Sequence, residues 1–110
     1  MEYLFSYGTL QKEEIQLKLF GRLLESEPDT LEGYMISTIE ITDRRFLDQG
    51  EERFQKTVAP TGICADFVKG TVLELSKSEL QLVEKYEPEN YRRIKVKLDS
   101  GKSAWVFLVG

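Results

Sequence analysis

The chain has 110 residues, of which 41% are hydrophobic and 31% charged, with a net charge of −4, one cysteine and no histidine. The acidic balance argues against nucleic acid as the main partner, because phosphate binding needs a basic surface. Without histidine, and with Cys64 alone, Ser-His-Asp and Cys-His catalytic units, the common zinc sites and an internal disulfide are all excluded. One domain is expected at this length. No apolar stretch is long enough to span a membrane and no signal-peptide pattern opens the chain, so a cytoplasmic location without a membrane partner is expected. No spacing points to a metal or a cofactor, and acid–base chemistry falls to Asp, Glu, Lys or Tyr.

Tyr3–Tyr7 reads as a short buried strand closed by Gly8. Gln11–Leu24 is partly helical: Ile15 and Leu19 share a face, Phe20 and Leu23 lie beside them, and Gly21 weakens or ends the helix. Leu31–Ile41 reads as one strand with a bulge or kink at Gly33. Asp43–Lys56 is polar and without periodicity, the pattern of a long loop and a candidate for function. Val58–Asp66 is punctuated by Pro60 and Gly62, and Val68–Leu75 reads as a strand.

Ser76-Lys77-Ser78-Glu79 is a capping box that opens a helix running to Tyr86. Pro88 stops it, since a proline pushes the preceding residue out of helical geometry. Arg93–Leu98 alternates, with Ile94, Val96 and Leu98 on one face and Lys95 and Lys97 on the other. Ser100-Gly101 makes a turn, and Ala104–Val109 is continuously apolar, as a strand covered on both faces is. The order predicts an α+β fold with a curved mixed sheet.

Two places attract chemistry. Glu87 ends a helix, where unsatisfied carbonyls and the macrodipole disfavour negative charge. Such a carboxyl has a raised pKa and can both take and give a proton. The plain alternative is a solvated glutamate between Tyr86 and Glu89. The Tyr7-Gly8-Thr9-Leu10 loop is either an ordinary turn with Thr9 as a helix cap, or a backbone surface that approaches a ligand. Arg44, Arg45 and Arg53 read as solvated, Tyr91 and Arg93 as either structural or site-forming, and Cys64 as a small core or loop residue.

Several segments together resemble the gamma-glutamyl cyclotransferase-like (AIG2-like) family. Tyr7-Gly8-Thr9-Leu10 after an N-terminal strand is similar to the family's Tyr-Gly-Ser/Thr-Leu loop. Glu87, Tyr91, Arg93 and Val96 follow its Glu-Gly-x-x-Tyr-x-Arg-x-x-Val pattern, with Pro88 in place of the glycine. Ala59-Pro60, Lys69–Leu75 and Ala104-Trp105-Val106-Phe107 are similar to its middle and final strands. The resemblance implies a small mixed β-barrel flanked by helices. It implies an enzyme without cofactor acting on a small γ-glutamyl substrate, whose α-amine attacks its own γ-carbonyl to release 5-oxoproline and an amine or amino acid. Glu87 would be the catalytic proton carrier, with Tyr7, Gly8, Thr9, Leu10 and Tyr91 binding substrate. Two other readings share the scaffold: a non-catalytic module that binds a metabolite or protein, and a hydrolase in which water replaces the internal amine.

Overall fold

The computed structural model describes residues 1–110. The chain runs β1 (Glu2–Ser6), a 3-10 turn (Thr9–Gln11), α1 (Glu13–Phe20), β2 (Ser26–Glu32), β3 (Tyr34–Glu40) and α2 (Arg44–Leu47). It continues through β4 (Phe54–Pro60), β5 (Phe67–Leu75), α3 (Lys77–Tyr86), β6 (Tyr91–Lys97) and β7 (Ser103–Val109). Five strands pair in the order β2-β5-β1-β7-β6, while β3 and β4 form a two-stranded ribbon. β1 holds the middle, antiparallel to β5 with Leu4 opposite Leu73, and parallel to β7 with Leu4 opposite Trp105. The sheet is therefore mixed, and with its helices the fold is α+β.

The period of two along the strands divides the core into two layers. Leu4, Leu73, Leu75 and Phe107 pack with Leu80, Val83 and Tyr86 of α3 and with Ile15 and Leu19 of α1. Their neighbours in sequence point the other way. Phe5, Val72, Ala104, Val106 and Leu108 pack with Leu31, Val58 and Tyr34 of the outer strands. β7 is thus covered on both faces, which explains its unbroken apolar run.

α3 begins on the capping box. Ser76 Oγ accepts from the Glu79 N–H at 3.1 Å, and Glu79 Oε1 accepts from the Ser76 N–H at 2.9 Å. α1 ends at Gly21, whose φ of 69° is left-handed and suits a residue without Cβ.

Two expectations need correction. Leu31–Ile41 is two strands, because Gly33 (φ 79°) turns the chain from β2, paired with β5, into β3, paired with β4. Ser26–Thr30 also belongs to β2, although Ser-Glu-Pro-Asp-Thr has little strand propensity. It lies on an edge, where Pro28 is tolerated. The loop expected over Asp43–Lys56 contains α2 and the start of β4. Asp43 caps α2 by accepting from the Arg45 and Phe46 N–H groups, and Phe46 is buried.

The ribbon and the sheet are joined by side-chain bonds. The Val109 N–H donates to Thr57 Oγ1 at 3.0 Å, and the Tyr91 hydroxyl donates to the Lys56 carbonyl at 2.7 Å. No helix is long and apolar enough to cross a membrane.

Candidate active site

The central strand delivers the site. Where β1 ends at Ser6, the chain crosses the mouth of a cleft of about 550 Å³ as Tyr7-Gly8-Thr9-Leu10. Glu87, Pro88 and Tyr91 enter the same cleft from the corner between α3 and β6. All six candidates from the sequence, Tyr7, Gly8, Thr9, Leu10, Glu87 and Tyr91, line this one space.

Side chains from three elements hold the glycine loop in place. Gln16 of α1 is 5% exposed; its Nε2 donates to the Leu10 carbonyl at 2.9 Å and its Oε1 accepts from the Leu24 N–H at 3.0 Å. Gln11 Oε1 accepts from the Thr71 hydroxyl of β5 at 2.8 Å, and its Nε2 donates to the Gly8 carbonyl at 3.3 Å. Thr9 does not cap a helix; its hydroxyl lies 3.0 Å from the Tyr86 hydroxyl. The Gly8 N–H donates to no acceptor within the protein. A Cβ built on Gly8 meets no protein atom within 4 Å, so it would project into open space.

Glu87 is the C-cap of α3, with its N–H bonded to the Val83 carbonyl and its backbone extended (φ −65°, ψ 153°). The last carbonyls of α3 have partners. The Arg45 guanidinium donates to the carbonyls of Lys85 and Glu87, and Gln49 Nε2 donates to that of Tyr86 at 3.1 Å. Asp43 Oδ2 accepts from the Glu89 N–H at 2.8 Å. The segment around α2 therefore clamps the corner that carries Glu87.

Desolvation within the cleft wall, then the nearby charge of Glu51, push the Glu87 carboxyl up to about 8. The residue as a whole is half-buried and lines the cleft. Burial raises the Tyr7 phenol, with Tyr91 and Glu87 adding to the rise. Burial and Glu87 likewise raise the Tyr91 phenol. Tyr7 donates to the Phe107 carbonyl at 2.5 Å and Tyr91 to that of Lys56, so both rings are fixed at the cleft wall.

Other sequence candidates lie elsewhere. Arg93 pairs with Glu84 at 2.8 Å and stacks on Trp105 at 4.4 Å, and Arg53 pairs with Glu40 at 3.6 Å. Cys64 is exposed in a turn. Two residues give little sequence signal. Glu51, which lines the cleft, lies in an aperiodic polar stretch, and Tyr86, buried in the core beside Thr9, reads only as a core position on α3. No group of His, Cys, Asp or Glu side chains is arranged to hold a metal.

The fold is a mixed α+β domain with a glycine loop at the end of its central strand and a glutamate in the adjoining cleft. The family model for gamma-glutamyl cyclotransferase, AIG2-like proteins matches residues 4–110, and the chain belongs to that family. No curated protein matches the chain in sequence. Solved structures share its fold. One of a protein named gamma-glutamyl cyclotransferase superposes with a TM-score of 0.76 at 18% identity, covering 99% of this chain and 66% of that one. A solution structure from Arabidopsis thaliana has a TM-score of 0.73 at 18% identity over 98% of this chain and 68% of its own. An uncharacterized Homo sapiens protein has a TM-score of 0.73 at 18% identity, with coverages of 99% and 66%. The chain thus spans about two thirds of each of these structures, and at this identity the likeness bears on fold alone.

Proposed function

We propose that the cleft is the active site of a gamma-glutamyl cyclotransferase that converts a small γ-glutamyl compound into 5-oxoproline and a free amine or amino acid. The substrate supplies its own nucleophile. Its α-ammonium gives a proton to Glu87, and the free amine attacks the γ-carbonyl carbon. The new C–N bond closes a five-membered ring, Glu87 passes its proton to the old amide nitrogen as that C–N bond breaks, and the surplus proton on the ring nitrogen follows through Glu87 to the released amine, which leaves as an ammonium. Ring closure is favourable once the chain is held folded, so positioning and proton transfer are the protein's main tasks. The backbone N–H groups of Gly8–Leu10 receive the oxyanion that develops on the carbonyl. Tyr7 and Tyr91 wall the substrate.

The observation that carries this reading is that Glu87 and the Tyr7–Leu10 loop line the same cleft, where burial pushes the Glu87 carboxyl up to about 8. A carboxyl at that value takes a proton from an ammonium more readily than an ordinary glutamate and still gives it back. The open space beside Gly8 supports close approach of a substrate to the backbone. The reading treats the 110 residues as one cytoplasmic domain, with sheet and ribbon as the wall of a small barrel; the Thr57–Val109 and Tyr91–Lys56 bonds support that closure.

The test is incubation with a panel of γ-glutamyl amines and γ-glutamyl amino acids, with 5-oxoproline measured for wild type and Glu87→Gln. Wild type is expected to release 5-oxoproline, and the variant to lose about 10²–10⁴-fold in kcat while remaining folded. Release of free glutamate would identify a hydrolase, and binding without any product a non-catalytic module.

A further inference from the structure

Building on the cyclotransferase reading, we propose that Glu51 is a positioning residue of the reaction: it secures the Thr9 loop through the Tyr86 hydroxyl and sets a fixed negative charge in the cleft beside Glu87. Glu51 lies in the connection between α2 and β4 and lines the cleft. The Tyr86 hydroxyl donates to its Oε1 at 2.9 Å. That bond uses the only proton on the phenol, so the Thr9 hydroxyl must be the donor in its 3.0 Å contact with Tyr86. The result is a directed chain from Thr9 to Tyr86 to Glu51, ending on a carboxylate. Tyr86 is 2% exposed and sits edge-on to Phe46, with ring centroids 5.8 Å apart, so its ring has no room to turn away. It also directly precedes Glu87, which joins this chain to the proton carrier through a single peptide unit.

The other groups around Glu87 do not duplicate Glu51. The phenols of Tyr7, Tyr86 and Tyr91, from the β1 exit, α3 and β6, are each pushed above their ordinary range by burial and stay neutral. Arg45 of α2 engages the Glu87 carbonyl rather than its carboxyl. Lys12, Lys18, Lys56, Glu14 and Glu52 also line the cleft, and Lys18 is bonded to the Gln49 carbonyl at 3.0 Å. Among all these charges, Glu51 is the one that bears on Glu87. Two carboxyls in one cleft resist ionising together, so the Glu51 side chain adds to the rise of the Glu87 carboxyl.

Two variants separate the anchor from the charge. Glu51→Gln keeps an oxygen to accept from Tyr86 and removes the charge; Tyr86→Phe removes the hydroxyl and keeps the charge. The Glu87 carboxyl is titrated by carbon NMR in the free protein, with its signal assigned by loss in Glu87→Gln. The pH profile of 5-oxoproline release is measured alongside. In Glu51→Gln, the Glu87 midpoint and the acid limb of kcat/KM should fall together by about one pH unit. In Tyr86→Phe, kcat should fall by about tenfold as the Thr9 loop loosens. An unmoved midpoint in Glu51→Gln overturns the charge role, and an unchanged kcat in Tyr86→Phe overturns the anchor. If wild type releases no 5-oxoproline, the cyclotransferase reading fails on its own, and the titration still decides whether the carboxyls are coupled.

Discussion

Glu87 shows how a correct direction can rest on a secondary cause. The sequence places it at a helix C-terminus, against a macrodipole with free carbonyls. In the structure Arg45 and Gln49 occupy the terminal carbonyls, which blunts that field. Burial and Glu51 raise the carboxyl instead. The consequence for stability has a definite sign. Below about pH 4.5 the carboxyl is protonated in both the folded and unfolded chain and contributes no difference. Between 4.5 and about 8 the unfolded chain has lost the proton while the folded chain keeps it, so stability falls as pH rises. Glu87→Gln removes this dependence. The variant is expected to be more stable than wild type by about 2–4 kcal/mol near pH 8, with the advantage vanishing near pH 4, as denaturant melts at both pH values would read. An equal difference at both values would contradict the raised carboxyl.

At the scale of elements, local signals were legible and partner-dependent ones were not. The Ser76 capping box, the Pro88 stop and the Gly21 end each act within one turn of backbone, so composition sufficed to find them. Gln16 is the opposite case. Its polarity on an amphipathic helix reads as solvent-facing, yet it is buried because the Leu10 carbonyl and the Leu24 N–H need partners. Gln16→Leu leaves both groups unpaired and is expected to cost about 2–4 kcal/mol in chemical denaturation. A loss below about half a kcal/mol would mean that water replaces the side chain there. α2 was hidden for a similar reason. It is one turn long, and its worth lies in Phe46 beneath Tyr86 and in the Arg45 clamp on α3, contacts with residues far along the chain.

Across the whole molecule, the site depends on how sheet and ribbon meet. Thr57 is buried and its hydroxyl accepts from the Val109 N–H, while Tyr91 reaches the neighbouring Lys56 carbonyl. These bonds set the cleft wall that carries Tyr91. Thr57→Val keeps the shape but strands the Val109 N–H, so a loss of about 1–2 kcal/mol is expected, together with faster hydrogen exchange at Val109. Unchanged exchange there would show that the ribbon is held by packing alone.

Strand period, helix caps and the residue types available for proton transfer were settled by the sequence itself, because each depends on neighbours within a few positions. The absence of histidine leaves proton transfer to Asp, Glu, Lys or Tyr, the helix end marks Glu87, and the Tyr7–Leu10 and Glu87–Val96 spacings resemble the family's. Tertiary structure decided what stands beside that carboxyl. It brought Glu51 and Tyr86 to the glycine loop, replaced the expected dipole field with burial, and divided one apparent strand at Gly33 between two sheets. Desolvation and charge proximity are properties of space rather than of chain order, and only the folded arrangement of distant segments creates them.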